Sequence, residues 1–149
     1  MFRELVATRP TWATVPVRVA LGAVFVAHGA QKVFGVWGGP GWAKFTGFPA
    51  PFGFMRPAWL WMGAAAVAEL VGGALVLLGL FTRLGAFLLA CTMLTAIVGV
   101  HGGVFFMPAG FEYALALLGM SIALLIEGGG RASIDARLYG GGRRPYKTK

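Results

Sequence analysis

His28 and Lys32 stand four residues apart in AHGAQKVFG, residues 27–35, where a long apolar run closes. Residues four apart on a helix share one face. An imidazole beside an ammonium group can donate hydrogen bonds, pass a proton or stabilise developing negative charge. Three more ionisable side chains, Glu69, His101 and Glu112, lie in or at the ends of other apolar runs. Two imidazoles and carboxylates at similar depth suit proton handling or contact with a polar head group. A metal held by His28, His101 and Glu112 is a minor reading, because no short ligand spacing such as His-Glu-x-x-His supports it.

The elements that must position these groups are membrane spans. Of 149 residues, 58% are hydrophobic and 12% charged, whereas a soluble domain is about 25% charged. Apolar segments at 15–34, 58–80, 84–106 and 111–127 approach the roughly 20 residues that a spanning helix needs. The expected fold is all-α: an integral membrane four-helix bundle, with a segment 1–14 before it and a basic tail 128–149 after it. The first run exceeds the roughly 7–15 residues of a signal-peptide core, and no convincing Ala-x-Ala site follows, so it is expected to be retained.

The net charge of +8 gathers at the helix ends. That pattern suits topogenic charge and anionic lipid rather than nucleic acid. With four spans, one side carries Arg3, Arg9, Arg18, Arg83, Arg131, Arg137, Arg143, Arg144, Lys147 and Lys149, and the other only Lys32, Lys44 and Arg56. The bias places both termini in the cytoplasm of a bacterial inner membrane.

Depth follows from a rise of about 1.5 Å per residue. His28 then lies roughly 9 Å below the outer end of its span, His101 roughly 8 Å and Glu69 roughly 16 Å. Lys32 is close enough to the end to snorkel. A carboxylate as deep as Glu69 must be neutral, hydrated or paired, with Lys32 or a histidine as the available partner. Each histidine alone is more often a packing residue. Together with the carboxylates they suggest one polar cavity in the outer half of the bundle.

The remaining features have plainer readings. The small residues in the spans, such as Gly22, Gly29, Gly72 and Gly73, let helices approach closely. Cys91 is the single cysteine, so it forms no internal disulfide or Cys-x-x-Cys pair. The long loop 36–57, rich in Gly, Pro, Trp and Phe, reads first as an interfacial aromatic belt and second as a lid. On the inner side, Arg83 is expected to contact lipid phosphate. Ser133 is expected to cap a short surface helix, and Asp135 to pair with Arg83 or Arg131.

HGAQKVFG in the first span, AELVGGALVLLGLFTRLGA through the second, the His101 end of the third, Glu112 with ALALLG, and the closing GGGRASIDARL together resemble the DoxX family of small four-span bacterial membrane proteins. Matching positions are His28, Gln31, Lys32, Glu69, Gly73, Thr82, Arg83, His101, Glu112, Ser133 and Asp135. Some DoxX-like proteins resemble the small membrane subunit of a thiosulfate:quinone oxidoreductase. Others are linked with oxidative-stress defence and thiol homeostasis as membrane partners of soluble enzymes. The resemblance implies a quinone as the ligand, held by His28, Gln31, Lys32, Glu69, His101 and Glu112, with Thr82, Arg83, Ser133 and Asp135 structuring the inner face.

Three functions compete. One is a redox-associated subunit that binds a quinone or similar amphiphile; no flavin, haem or iron–sulfur motif is recognisable, so the electrons would come from a redox partner protein. Another is a non-enzymatic small-molecule or lipid carrier, for which a homo-oligomer is expected. The third is an anchor that recruits soluble enzymes through the basic tail 131–149.

Overall fold

The computed structural model describes residues 6–101, 103–106 and 110–140, and among them every regular element is helical. The helices are α1 (Thr14–Phe34), α2 (Gly41–Thr46), α3 (Ala58–Leu78), α4 (Thr82–Gly99), α5 (Glu112–Glu127) and α6 (Ile134–Gly140), with a 3₁₀ turn at Val36–Gly38. Pro16 falls in the first turn of α1, where its missing N–H costs nothing. Gly35 ends α1 in the left-handed conformation, φ 71°, with its N–H on the Gln31 carbonyl.

α3 ends in a Schellman motif. Gly79 takes φ 68°, its N–H meets the Val76 carbonyl at 3.1 Å, and the Leu80 N–H meets the Leu75 carbonyl at 3.0 Å. The three-residue turn that follows forces α4 back antiparallel to α3.

Three helices, α1, α3 and α4, are long and apolar enough to cross a membrane, while α5 has 16 residues. α1 packs most extensively on α3, α4 packs on both α3 and α5, and α5 touches α1 more lightly. Leu21, Phe25, Val76, Leu89 and Leu124 fill the core. Val19, Val67, Leu94, Val98 and Ile126 point outward and are exposed, as helices in lipid require.

The largest departure from the sequence expectation is at the third segment. α4 stops at Gly99 rather than near residue 106, and His101 lies in a bend beyond it. The Val100 and His101 N–H groups both converge on the Ala96 carbonyl, at 3.0 and 2.9 Å. The chain then turns back so that Phe111 and Glu112 donate to the carbonyls of Val104 and Phe105. Hydropathy continued through this stretch because its residues are apolar, but apolar character does not specify helix.

The end of the bundle that carries the α3–α4 turn is held by side chains that reach backbone groups. Arg18 is 4% exposed. It donates to the carbonyls of Val76 (3.0 Å), Leu77 (3.0 Å), Gly129 (2.8 Å) and Ala132 (2.8 Å). One guanidinium thus ties α1 to the end of α3 and to the segment after α5. Sequence reading had counted it only as a topogenic charge.

Asp135 also departs from expectation. It pairs with neither Arg83 nor Arg131 but accepts from Phe81 N (2.7 Å), Thr82 N (2.8 Å) and Thr82 Oγ1 (2.7 Å). It therefore caps α4 from a distant part of the chain, where an anion is favoured by the helix dipole. Arg83 donates to the carbonyls of Ala7 and Ile126. Ser133 Oγ accepts from Ala136 N at 3.0 Å, capping α6. Asp135→Ala should cost about 2 kcal/mol, the upper range for a lost N-cap, measured as a lowered unfolding midpoint in detergent micelles. Asp135→Asn should recover part of that loss.

Candidate functional site

α1 and α3 cross so closely that their backbones nearly touch. A Cβ added at Gly29 would lie 2.5 Å from the Leu70 nitrogen, and one added at Gly22 would lie 2.7 Å from the Leu77 Cβ. A Cβ at Gly73 would meet the Val26 nitrogen at 2.8 Å. These contacts fix an antiparallel register, and one turn beyond Gly29 that register sets Lys32 beside Glu69. Lys32 Nζ donates to both carboxylate oxygens of Glu69. The Glu69 side chain is 5% exposed and that of Lys32 22%. Of the two expectations for Lys32, snorkelling and pairing with Glu69, the structure shows the pair. Its ammonium also lies 5.1 Å from the centre of the Phe45 ring, within cation–π range.

The pair forms part of the wall of a cavity of about 960 Å³. His28, Lys32, Glu69 and His101 all line it. Glu112 and Gln31 are absent from the lining, although Tyr113 and Ala114 beside Glu112 are present. Gln31 Nε2 lies 3.5 Å from the Trp37 carbonyl. Among the described residues, no three His, Cys, Asp or Glu side chains form a metal-holding group, so His28, His101 and Glu112 do not assemble as one.

The loop 36–57 supplies much of the roof. Phe45, Phe48, Pro51 and Met55 face the cavity, while Trp37 and Phe54 are 74% and 77% exposed. One loop thus covers the cavity and also presents aromatic side chains outward. α2 is seated by Gly63 on α3, where an added Cβ would come within 3.0 Å of the Trp42 ring. A loop that covers the cavity is the second of the two expectations for this segment.

Chemically, the arrangement is an apolar chamber with an ion pair in its wall and two imidazoles on its lining. It can hold an uncharged or weakly polar head group and offer it N–H donors.

An all-helical chain with three helices fit to cross a bilayer and an outward apolar surface is a membrane protein in contact with lipid. More narrowly, it belongs to the DoxX family, whose pattern matches residues 13–102 and so includes His28, Lys32, Glu69 and His101. It is similar to a Bacillus subtilis protein named "Putative oxidoreductase CatD", at 34% identity over 112 residues, covering 74% of this chain and 77% of that one. An uncharacterised membrane protein of Mycobacterium tuberculosis is 36% identical over 135 residues, covering 82% of this chain and 78% of its own. A Haemophilus influenzae protein is 30% identical over 131 residues, covering 82% and 87%. No solved structure matches the chain.

Proposed function

We propose that this protein is a redox-associated membrane subunit that binds a quinone, or an amphiphile of similar shape, in the cavity between α1, α3, α4 and α5. The observation that carries the reading is the buried Lys32–Glu69 pair in the wall of an otherwise apolar chamber. A buried ion pair stabilises a fold weakly or not at all, so its presence beside a cavity favours use by a ligand. The word oxidoreductase in the name of the Bacillus subtilis relative supports a redox role over simple carriage.

The residues fit such a ligand. Cavities for small organic molecules run from about 300 to 1,000 Å³, with mostly apolar walls and a few polar groups. Here Phe45, Phe48 and Trp61 supply flat apolar walls, and His28, His101 and Lys32 supply donors. A bound quinone would supply two-electron, two-proton chemistry at its carbonyl oxygens, with the electrons drawn from a partner protein. His28 or His101 would orient a carbonyl by hydrogen bonding. Lys32 would favour negative charge on an oxygen, and Glu69 would hold and pass a proton.

The topology proposed with this reading makes α5 a fourth crossing in a bacterial inner membrane, with both termini in the cytoplasm. Its 16 residues span about 24 Å, less than the roughly 30 Å hydrocarbon core. The recruiting tail of the anchor reading falls partly in residues 141–149, outside the described residues.

Titration of the purified protein with decyl-ubiquinone, followed by tryptophan fluorescence, tests the reading. His28→Ala and Glu69→Gln should each raise Kd at least about tenfold, the equivalent of 1.4 kcal/mol and of one lost hydrogen bond to a charged group. Equal affinity in both variants and wild type would reject the assigned roles.

A further inference from the structure

The cavity has a side as well as a roof. On α4, Ala86, Leu89 and Met93 fill the core. Cys91, two residues from Leu89, points roughly 160° away from it at 3.6 residues per turn. It is exposed, yet it lines the cavity. On α3, Ala64 is likewise exposed and cavity-lining, while Ala66 and Glu69 are buried. Outward-facing, cavity-lining residues on both α3 and α4 mark an opening of the cavity between these two helices.

That gap has a floor and a lintel. At its inner end the two helices close up, since a Cβ added at Gly85 would lie 2.9 Å from the Gly72 carbonyl oxygen. At its outer end the roof loop seats on α4, where a Cβ at Gly99 would lie 2.6 Å from the Pro51 Cβ and 2.9 Å from the Phe52 ring. Between these limits the α3 side of the cavity is bordered by small side chains, Ala64, Ala65 and Ala68, and the α4 side by Leu88, Cys91, Thr92 and Thr95. Ala65 and Ala68 flank Glu69, so a path from lipid to the ion pair runs past methyl groups.

We infer that the gap between α3 and α4 is a lateral portal, through which a membrane-dissolved amphiphile enters head first and leaves its tail lying between Ala68 and Cys91. The inference rests on the amphiphile reading proposed above and narrows its ligand class. The ligand has a compact, weakly polar head and one long hydrocarbon or polyprenyl tail slim enough for a slot walled by alanines. A tail left in lipid keeps its apolar contacts, so only the head exchanges environment on binding. Entry from water would instead pass the partly exposed roof of Phe45, Phe48 and Pro51.

The test uses the full chain in proteoliposomes. Cys91, the single thiol, is alkylated with N-dodecylmaleimide in the presence and absence of decyl-ubiquinone. Retention of decyl-ubiquinone through gel filtration in detergent is measured in parallel. At ten times Kd the quinone should slow alkylation about tenfold, in proportion to the free fraction. In addition, Ala68→Phe should slow quinone association about tenfold, with Kd changed far less, as expected where access and not contact is altered. Quinone retained by wild type with alkylation of Cys91 unchanged would overturn the portal and leave the cavity reading standing. No retention by wild type would overturn both. Cys91 protection needs no variant, so it decides the matter even if Ala68→Phe does not fold.

Discussion

Arg18→Ala is expected to lower stability by about 3–5 kcal/mol, because each buried carbonyl stripped of its donor costs about 1–3 kcal/mol and water at the inner face recovers only part. Four carbonyls lose this donor at once, those of Val76, Leu77, Gly129 and Ala132; Val76 keeps the Gly79 N–H and Gly129 keeps the Thr14 hydroxyl, while Leu77 and Ala132 are stripped. Two of these belong to the last turn of α3, where helix carbonyls lack intrahelical donors. The other two anchor the segment that carries Asp135 to the cap of α4. The loss should therefore spread beyond α1, loosening both helices where the α3–α4 hairpin turns. Arg18→Lys should recover less than half of it, because a single ammonium cannot reproduce the spread of a guanidinium fork. The check is the denaturant midpoint in mixed micelles for the wild type and both variants.

The second large effect concerns the pair in the cavity wall, and its signature is asymmetry. Lys32→Met should destabilise by about 3 kcal/mol, since removing one partner leaves an uncompensated buried charge. Glu69→Gln should cost only about 1 kcal/mol, because Lys32 is near the helix end and its ammonium can swing toward water. The double variant Lys32→Met/Glu69→Gln should lie close to Glu69→Gln alone, for no charge then remains to be compensated. A double-mutant cycle on unfolding midpoints measures the coupling directly. Equal single-variant losses that simply add would show that the two side chains do not act as a pair.

Much of the helical layout could be read from composition. α1 and α3 begin and end within two residues of the sequence expectation, because Pro, Gly and a sustained apolar run mark their ends clearly. The end of α4 could not be read in the same way. Residues 100–106 are as apolar as the helix before them, and only the bend at His101 separates them. Hydropathy reports depth in lipid, not backbone conformation.

The site was legible to a different degree. Depth put His28, Lys32, Glu69 and His101 on the outer side, but depth says nothing about rotation. What sets Lys32 against Glu69 is the close crossing at Gly22, Gly29 and Gly73, a register that one chain's spacing does not disclose. Glu112 shows the converse, sharing the level of the cavity without lining it. Arg18 was missed although a signal was present. It stands four residues inside a spanning helix, and a cation there must find carbonyls or a counter-ion. Treating it as topogenic charge obscured that requirement. Asp135 was grouped with Thr82 and Arg83, but its partners include backbone N–H groups more than 50 residues away, which no pattern of side-chain charges reveals.

The most direct test of the cavity and its ion pair is mass spectrometry of organic extracts from the purified protein, with wild type beside His28→Ala and Glu69→Gln. Stoichiometric quinone from wild type, lost from both variants while their folds remain intact, is the expected result. A different amphiphile with the same losses would keep the cavity and replace its ligand. Extracts from the three proteins that carry the same quinone in equal amount would contradict the assignment of His28 and Glu69 to its binding.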